Sequence, residues 1–454
     1  MSEQQGQVLP GPGGPATAPP TLAAQATAAQ TPVAGGGRWS PWRAVVGFGV
    51  VSLAADMVYE GARSVTGPLL ASLGASALLV GLVTGAGEAL ALVLRAAFGS
   101  LADRTGRYWA LTLGGYALTA VCVPALALTP FVGAAGLVLA CALVLAERTG
   151  KAVRSPSKST LLAYAATAVG LGRGFAVHKA LDQVGAFAGP LLVAAVAALT
   201  GALWPAMAIL AVPGAASIAL LLLLRSRVGD PSVPDDAHAP DDAPVPELLA
   251  SATDPSPAAV SRRGGHGWAG LPRRFWLFAA SAGAATAGLV TFGVISYHLV
   301  REHVVPPAVV PVVYAAAMAA EAAAALATGW LYDRWNARVL LALPLLVAAV
   351  PALAFSNGLL VAGAGILLWG AAVGVQDSTV KALVADLVPA ARRATAYGWF
   401  AAVQGAAAVA GGAMAGALYA RSVPALVTAV AATQLVALTL LVATLRTPSP
   451  ARPA

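Results

Sequence analysis

Charge is what this sequence lacks most: Asp, Glu, Lys and Arg together make up 10% of its 454 residues, against about 25% in an ordinary soluble domain. So little charge cannot keep a surface of that size in water, and most of the chain must be solvated by lipid. Cysteine is nearly absent as well. Cys122 and Cys141 both fall in apolar stretches, which argues against a disulfide framework or a thiolate metal site and leaves small apolar packing as their expected role. Lys and Arg are missing from residues 1 to 37, which have no apolar core and hold mainly Pro, Gly, Ala, Thr and Gln. No secretory signal is expected there, and a disordered tail is.

What is present is apolar: hydrophobic residues make up 58% of the chain and glycine 48 positions. A membrane span needs about 20 mainly apolar residues, because the hydrocarbon core is about 30 Å thick and a helix rises 1.5 Å per residue. Twelve stretches qualify: 44–70, 76–100, 108–128, 131–153, 173–199, 203–224, 275–299, 307–331, 339–355, 359–385, 393–418 and 424–445. They are too long and too uniformly apolar for barrel strands, and abundant Gly and Ala suit close helix packing in lipid.

The formal charge of +8 reflects topology. With the N-terminus inside, Arg38, Arg43, Arg104, Arg107, Lys151, Arg154, Lys158, Arg173, Arg225 and Arg227 lie at inward ends, as do the basic residues of the later inward loops. The outward loops keep only Arg301 and Arg421. This bias places both termini in the cytoplasm of a multi-pass protein of the inner or plasma membrane. It gives no reason to expect a nucleic-acid partner.

Residues 226–272 carry eight prolines and seven acids and cannot build a core, so they read as a disordered cytoplasmic linker. The expected domains are a tail over 1–41, a six-helix bundle over 42–225, the linker over 226–272, a second six-helix bundle over 273–446 and a tail over 447–454. The halves echo each other. Gly99, Leu101, Asp103, Arg104 and Arg107 follow span two, and Gly329, Leu331, Asp333, Arg334 and Arg338 follow span eight. Gly, Leu, Asp and the first Arg recur at an offset of 230 residues, as in a duplicated unit.

With Gly106 included, the first copy resembles the loop signature of the major facilitator superfamily, which follows helix two and recurs in degraded form after helix eight. Tyr108 stands where the family often has another basic residue, and Asn336 and Ala337 replace the glycine pattern of the second copy. The resemblance implies an all-α fold of twelve transmembrane helices in two pseudo-symmetric six-helix bundles, secondary transport by alternating access, and a gating role for Asp103. In span five, Gly185, Gly189 and Pro190 are similar to the glycine–proline motif of the family's proton-coupled exporters, with helix packing as the plainer reading.

An ionisable side chain in a bilayer costs about 2.5–3.5 kcal/mol on insertion scales, so each one inside a span is a candidate for function. Span one has Asp56, Glu60 and Arg63 on one face, where one carboxylate can pair with the guanidinium while the other remains protonatable. Span five has His178 and Asp182 four residues apart, beside Lys179 and Gln183, suited to substrate contact or proton relay. Glu88 and Glu321 lie near the middle of the second helix of each half. Asp377 and Lys381 in span ten read as a structural pair, with Gln376 a possible cavity contact. Glu147, Arg148, Lys151 and Arg154 read as an interfacial network at the end of span four, free to reach water. Spans three, six, nine and twelve carry no charge, as the family's fold demands of its outermost helices.

Other classes fit less well. Gly150-Lys151-Ala152 is no phosphate-cradling loop, and no His-Glu-x-x-His pair occurs, so neither an ATP-driven pump nor an intramembrane metalloprotease is expected. A transporter-like sensor would want a folded regulatory domain, and only tails are available. The reading is therefore a non-enzymatic, monomeric carrier of a small molecule with protons as coupling ion, needing no cofactor or metal. Export is favoured over uptake by the span-five motif.

Overall fold

A computed structural model describes residues 39–228, 271–389 and 392–447. Nearly all of the expected tails and linker (1–41, 226–272, 447–454) lies outside the described residues. Among these residues there are only helices and turns, and twelve helices are long and apolar enough to cross a membrane: Pro41–Ser72, Ala77–Thr105, Tyr108–Phe131, Gly133–Ala166, Leu171–Thr200, Leu203–Arg227, Arg273–Arg301, Val310–Tyr332, Asn336–Ala354, Leu359–Ser378, Thr395–Arg421 and Val423–Arg446. They are spans one to twelve below. The uniform choice of helix follows from the solvent, because lipid offers no partner to an unpaired backbone N–H or C=O.

Local signals set the ends. Ser40 Oγ accepts from Arg43 N at 3.4 Å and Pro41 opens span one; Ser76 Oγ accepts from Leu79 N at 3.3 Å to open span two. Both are ordinary N-caps. Span two ends at Gly106, φ +64°, and span eight's helix ends at Asn336, φ +50°. The two positive-φ stops are 230 residues apart, but their ψ values, 3° at Gly106 and −151° at Asn336, differ, so the echo extends to the position of the helix stop and not to its full geometry. Gly accepts such a φ without strain and Asn is among the few other residues that tolerate it. The Asp103 motif therefore lies mostly in the last turns of a helix, and only Gly106 and Arg107 form the loop.

Two helices depart from the hydropathy pattern. The span-four helix runs Gly136–Ala166, well past the apolar stretch, and carries Lys151, Arg154 and Lys158 inside it. Span seven is two helices, Arg273–Gly288 and Phe292–Arg301. At the break the indole Nε1 of Trp369 donates to the Val290 carbonyl at 2.8 Å, and the Thr291 hydroxyl bonds Thr84 of span two at 2.8 Å. Interrupted helices persist in membranes when protein groups take up the freed backbone, as Trp369 does here.

Span one packs along span five and span two along span eleven. Small residues allow both. A Cβ on Gly185 or Gly189 would stand 2.2 Å from the Leu53 carbonyl oxygen or 2.3 Å from that of Met57, so this glycine pair brings spans one and five to backbone contact. The two halves meet mainly at the end carrying the 72–77 turn. There Gly81 and Gly85 lie against Gly412 and Ala408, Gly416 against Ala77, and Gly67 against the Gly293 carbonyl.

Candidate functional site

Helical periodicity places Ser52, Asp56, Tyr59 and Arg63 on one face of span one, with Glu60 beside them. Arg148, Lys151, Arg154 and Lys158 lie on the facing stripe of span four. Together they form a ladder. Lys158 Nζ donates to Ser52 Oγ at 3.0 Å, Arg154 Nη2 lies 3.8 Å from Asp56 Oδ1, and Lys151 Nζ stands 3.6 Å above the centre of the Tyr59 ring. Arg148 bonds the Tyr59 hydroxyl. At the far rung Arg63 Nη2 donates to Glu88 Oε1 at 2.9 Å and Arg148 Nη1 approaches the same oxygen at 3.4 Å. Glu147 lies 3.7 Å from Arg148 and accepts from Thr119, which in turn accepts from Arg154 Nη1 at 2.7 Å.

Glu147, Arg148 and Arg154 are buried. The expected water-facing network at the end of span four is thus an interior one. The reason is mutual: the carboxylates of spans one and two supply the counter-ions that let the basic helix stay inside. Arg63 divides its guanidinium between Glu88 and, at 3.7 Å, Glu60, and Asp56 is left to Arg154.

Span five adds the next layer. Asp182 accepts from Ser52 Oγ at 2.9 Å and from Lys179 Nζ at 3.0 Å, and its carboxyl group faces that of Asp56. Ser52 thus links Lys158 to Asp182. His178 is buried with Nδ1 unpartnered, and Gln183 is half-buried. Gly185, Gly189 and Pro190, all buried, make this layer possible by seating span five on span one.

The opposite half contributes one direct bond. Tyr314 of span eight donates its hydroxyl to Glu60 Oε2 at 2.5 Å, across the interface between the halves. Glu321, about two turns further along the same face, lies in the fields of Asp377, Glu60 and Arg63. Glu88 and Glu321 therefore differ in their surroundings, since Glu88 is ion-paired twice. Gln376 buries an unpartnered Oε1 and Asp377 is exposed; the side chain of Lys381 lies outside the described residues.

The motif residues sit at the other end. Gly99 is buried, whereas Leu101, Asp103, Arg104 and Arg107 are exposed, and Asp103 accepts from Tyr108 Oη at 3.3 Å. In the second copy Gly329 has open space around it, Arg334 lies 4.0 Å over the Trp330 ring, and the Asp333 side chain lies outside the described residues. Asp103→Asn is expected to slow transport about tenfold or more while moving the half-saturating substrate concentration only a few-fold, because the residue is remote from the polar ladder and a change confined to switching acts on rate. Rates from reconstituted protein over a substrate titration check this, and an unchanged rate at normal expression rejects it.

Tyr314, Tyr59, Ser52 and Thr119 escaped sequence reasoning because it screened for charge, and these act through hydroxyls and a ring. Lys158 carried a signal: it continues the Lys151–Arg154 spacing by four. Among the described residues no group of three or more His, Cys, Asp and Glu comes together as a metal site.

Comparison with known proteins agrees with this architecture. The sequence profile of the Major Facilitator Superfamily matches residues 275–454. Uncharacterized proteins of Mycobacterium bovis and Mycobacterium tuberculosis are 51% identical over 405 residues, covering 89% of this chain and 93% of theirs. Among solved structures, the nucleoside transporter NupG aligns with a TM-score of 0.62 at 14% identity, over 89% of this chain and 100% of its own. A bacterial homologue of the human lysosomal transporter Spinster, in an inward-facing, unoccupied conformation, gives 0.63 at 14%, over 89% and 95%. A POT family transporter gives 0.65 at 12%, also over 89% and 95%. With twelve spans, a duplicated motif and these matches, the chain belongs to the major facilitator superfamily and is a membrane transporter of that type.

Proposed function

We propose that this protein is a proton-coupled secondary transporter that exports a small organic molecule by alternating access. The observation that carries the reading is the Glu60–Tyr314 bond. A carboxyl group tied into the ion-paired ladder of one half accepts a hydrogen bond from the other half, so its protonation and the closure of the interface act on the same atoms. Asp56 and Asp182, face to face in the next layer, offer a second place for a proton. Asp56, Glu60, Asp182, Glu88 and Glu321 are the coupling candidates, and Arg63, His178, Gln183, Gln376 and Asp377 complete the substrate-facing set. No step in this scheme requires a cofactor, a metal or a second subunit.

With both termini in the cytoplasm of the plasma membrane, the closed 72–77 end is external. The chain is then in the inward-facing state, the state in which the Spinster homologue was solved. Single cysteines at residues 230–260, in a background lacking Cys122 and Cys141, should react with an impermeant thiol reagent only from the cytoplasmic side; labelling of intact cells from outside would reverse the orientation. Transport is tested in proteoliposomes with an imposed pH gradient, by screening labelled small molecules for movement in each direction. Export predicts movement against the proton flux, and co-directional movement would assign an uptake permease.

A further inference from the structure

Charged groups inside a membrane protein are held by opposite charges or hydrogen bonds, because an uncompensated one costs several kcal/mol. In the ladder joining spans one, two, four and five, that rule accounts for each basic group named above but one. Arg63 has Glu88 and Glu60, Arg148 has Glu88 and Glu147, Arg154 has Asp56, and Lys179 has Asp182, all within 3.8 Å. Lys158 donates to Ser52, which donates onward to Asp182. Lys151 has no such partner among the described residues. Its ammonium rests on the π face of Tyr59 at 3.6 Å, and the hydroxyl of that tyrosine is already taken by Arg148.

The acids in the field of Lys151 are Glu60 and Asp56. Neither is free for it: Glu60 holds Arg63 and Tyr314, and Asp56 holds Arg154 and faces Asp182. Arg148 and Arg63 add positive charge beside it. Within this ladder Arg63, Arg148, Lys151, Arg154, Lys158 and Lys179 stand against Asp56, Glu60, Glu88, Glu147 and Asp182, an excess of one positive charge when every carboxyl group is ionised. Glu321, on the opposite half, lies in the fields of Arg63 and Lys179. Lys151 is half-buried and turned to span one through the Tyr59 ring, so part of its surface stays accessible.

We propose that the transported molecule carries an anionic group, a carboxylate or its equivalent, and that Lys151 receives it on the Tyr59 ring. The proposal rests on the transport reading above and names its substrate class. The ring restrains the ammonium from one side by a cation–π contact and leaves N–H donors for the incoming anion. Binding of that anion brings the ladder to neutrality, and neutrality is the condition under which the halves can close over it at least cost. The ammonium also sits within the field of Glu60, so anion binding there weakens the hold of Lys151 on the carboxylate proposed to exchange protons.

The test uses three probes that share a ring and differ in charge: benzoate, benzamide and benzylamine. Unfolding temperatures of the purified full chain are recorded in detergent over a titration of each. Benzoate alone should stabilise the wild type. Lys151→Arg should keep the response, and Lys151→Gln should need about tenfold or more benzoate, the loss expected for one charge-assisted hydrogen bond. The unfolding temperature without probe shows whether each variant is folded, and if Lys151→Gln is not, Tyr59→Leu, which removes the ring but keeps the charge, should weaken the benzoate response in its place. Equal stabilisation by benzamide or benzylamine, no response to benzoate, or an undiminished response in a folded Lys151→Gln protein each overturns the proposal. Reconstituted protein separates the two readings. Exchange confined to neutral compounds or amines would sink the anion assignment and leave transport standing, whereas exchange of no compound of any class would sink transport itself.

Discussion

Glu60→Gln should abolish accumulation driven by a pH gradient and leave downhill exchange of substrate intact. The carboxylate it removes has two protein partners, Arg63 at 3.7 Å on its own helix and the Tyr314 hydroxyl at 2.5 Å on the opposite half. Glutamine keeps the shape and a carbonyl oxygen that still accepts from Tyr314, so the interface can close. It cannot take up or release a proton. Exchange needs only binding and rocking, with no net proton movement, and should survive. Accumulation needs the proton to be counted once per cycle, and should fall to the level of the external concentration. The effect is large because one proton entering down a proton-motive force of about 100 mV releases about 2.3 kcal/mol, enough for about a fifty-fold substrate gradient before the substrate's own charge is counted.

Asp56→Asn is the companion measurement. It leaves Arg154 without a carboxylate in a buried site, and part of any loss will be structural; the Glu60 variant leaves Arg63 its shorter bond to Glu88. Proteoliposomes loaded at two pH values, with and without substrate on the trans side, separate accumulation from exchange. Should both variants accumulate substrate as the wild type does, coupling must lie elsewhere, with Asp182, Glu88 and Glu321 next in order of contact with the ladder.

The sequence already contained the twelve spans to within a few residues at most ends, because hydropathy reports what lipid demands and the caps at Ser40, Ser76 and Gly106 are written in local residue types. It also contained the duplication, and Asn336 shows why the second copy looked degraded. This asparagine stands where the first copy has Gly106, and it keeps a positive φ while its ψ, −151° against 3° at Gly106, sends the chain in another direction, so both the motif and the turn changed. Two features were not legible. The break at Leu289–Thr291 has no proline, and a window average cannot see that Trp369 will satisfy the opened backbone at Val290 while Thr84 bonds the Thr291 hydroxyl. The reach of span four through Lys158 was hidden for a related reason. A lysine or arginine near the end of an apolar run looks like a loop residue until its partners are known, and those, Ser52 for Lys158 and Asp56 for Arg154, come about 100 positions earlier in the chain. The span-five glycines were visible as residues but not as a function. Their carbonyl contacts with Leu53 and Met57 identify them as packing elements, and that same contact brings Asp182 to Asp56.

Gly81→Val, or Gly412→Val, should cut transport by at least tenfold and shift the chain toward a state open at the 72–77 end. The two glycines face each other across the halves. A Cβ on either would stand 2.1 Å from the carbonyl oxygen of the other, with backbone again at 3.0 Å, so no rotamer change can relieve the clash and the helices must part. Overpacking of this kind costs about 1–3 kcal/mol, and a bias of that size moves a two-state balance by about 5- to 150-fold. The cost falls only on the state in which spans two and eleven touch here, since the open state separates the two backbones; the substitution is therefore a conformational bias before it is a folding defect. Spin labels at Ser72 and Glu302, which are exposed on opposite halves at this end, report the opening as a longer interlabel distance in the variant. Gly363→Ala is the control, because that glycine has nothing within 4 Å of the added carbon and the change should leave distance and transport as they were. An unaltered distance distribution in Gly81→Val, with wild-type transport, would mean that the halves do not close through this glycine contact during the cycle, and the pivot would then have to be sought at Gly67 and Gly293.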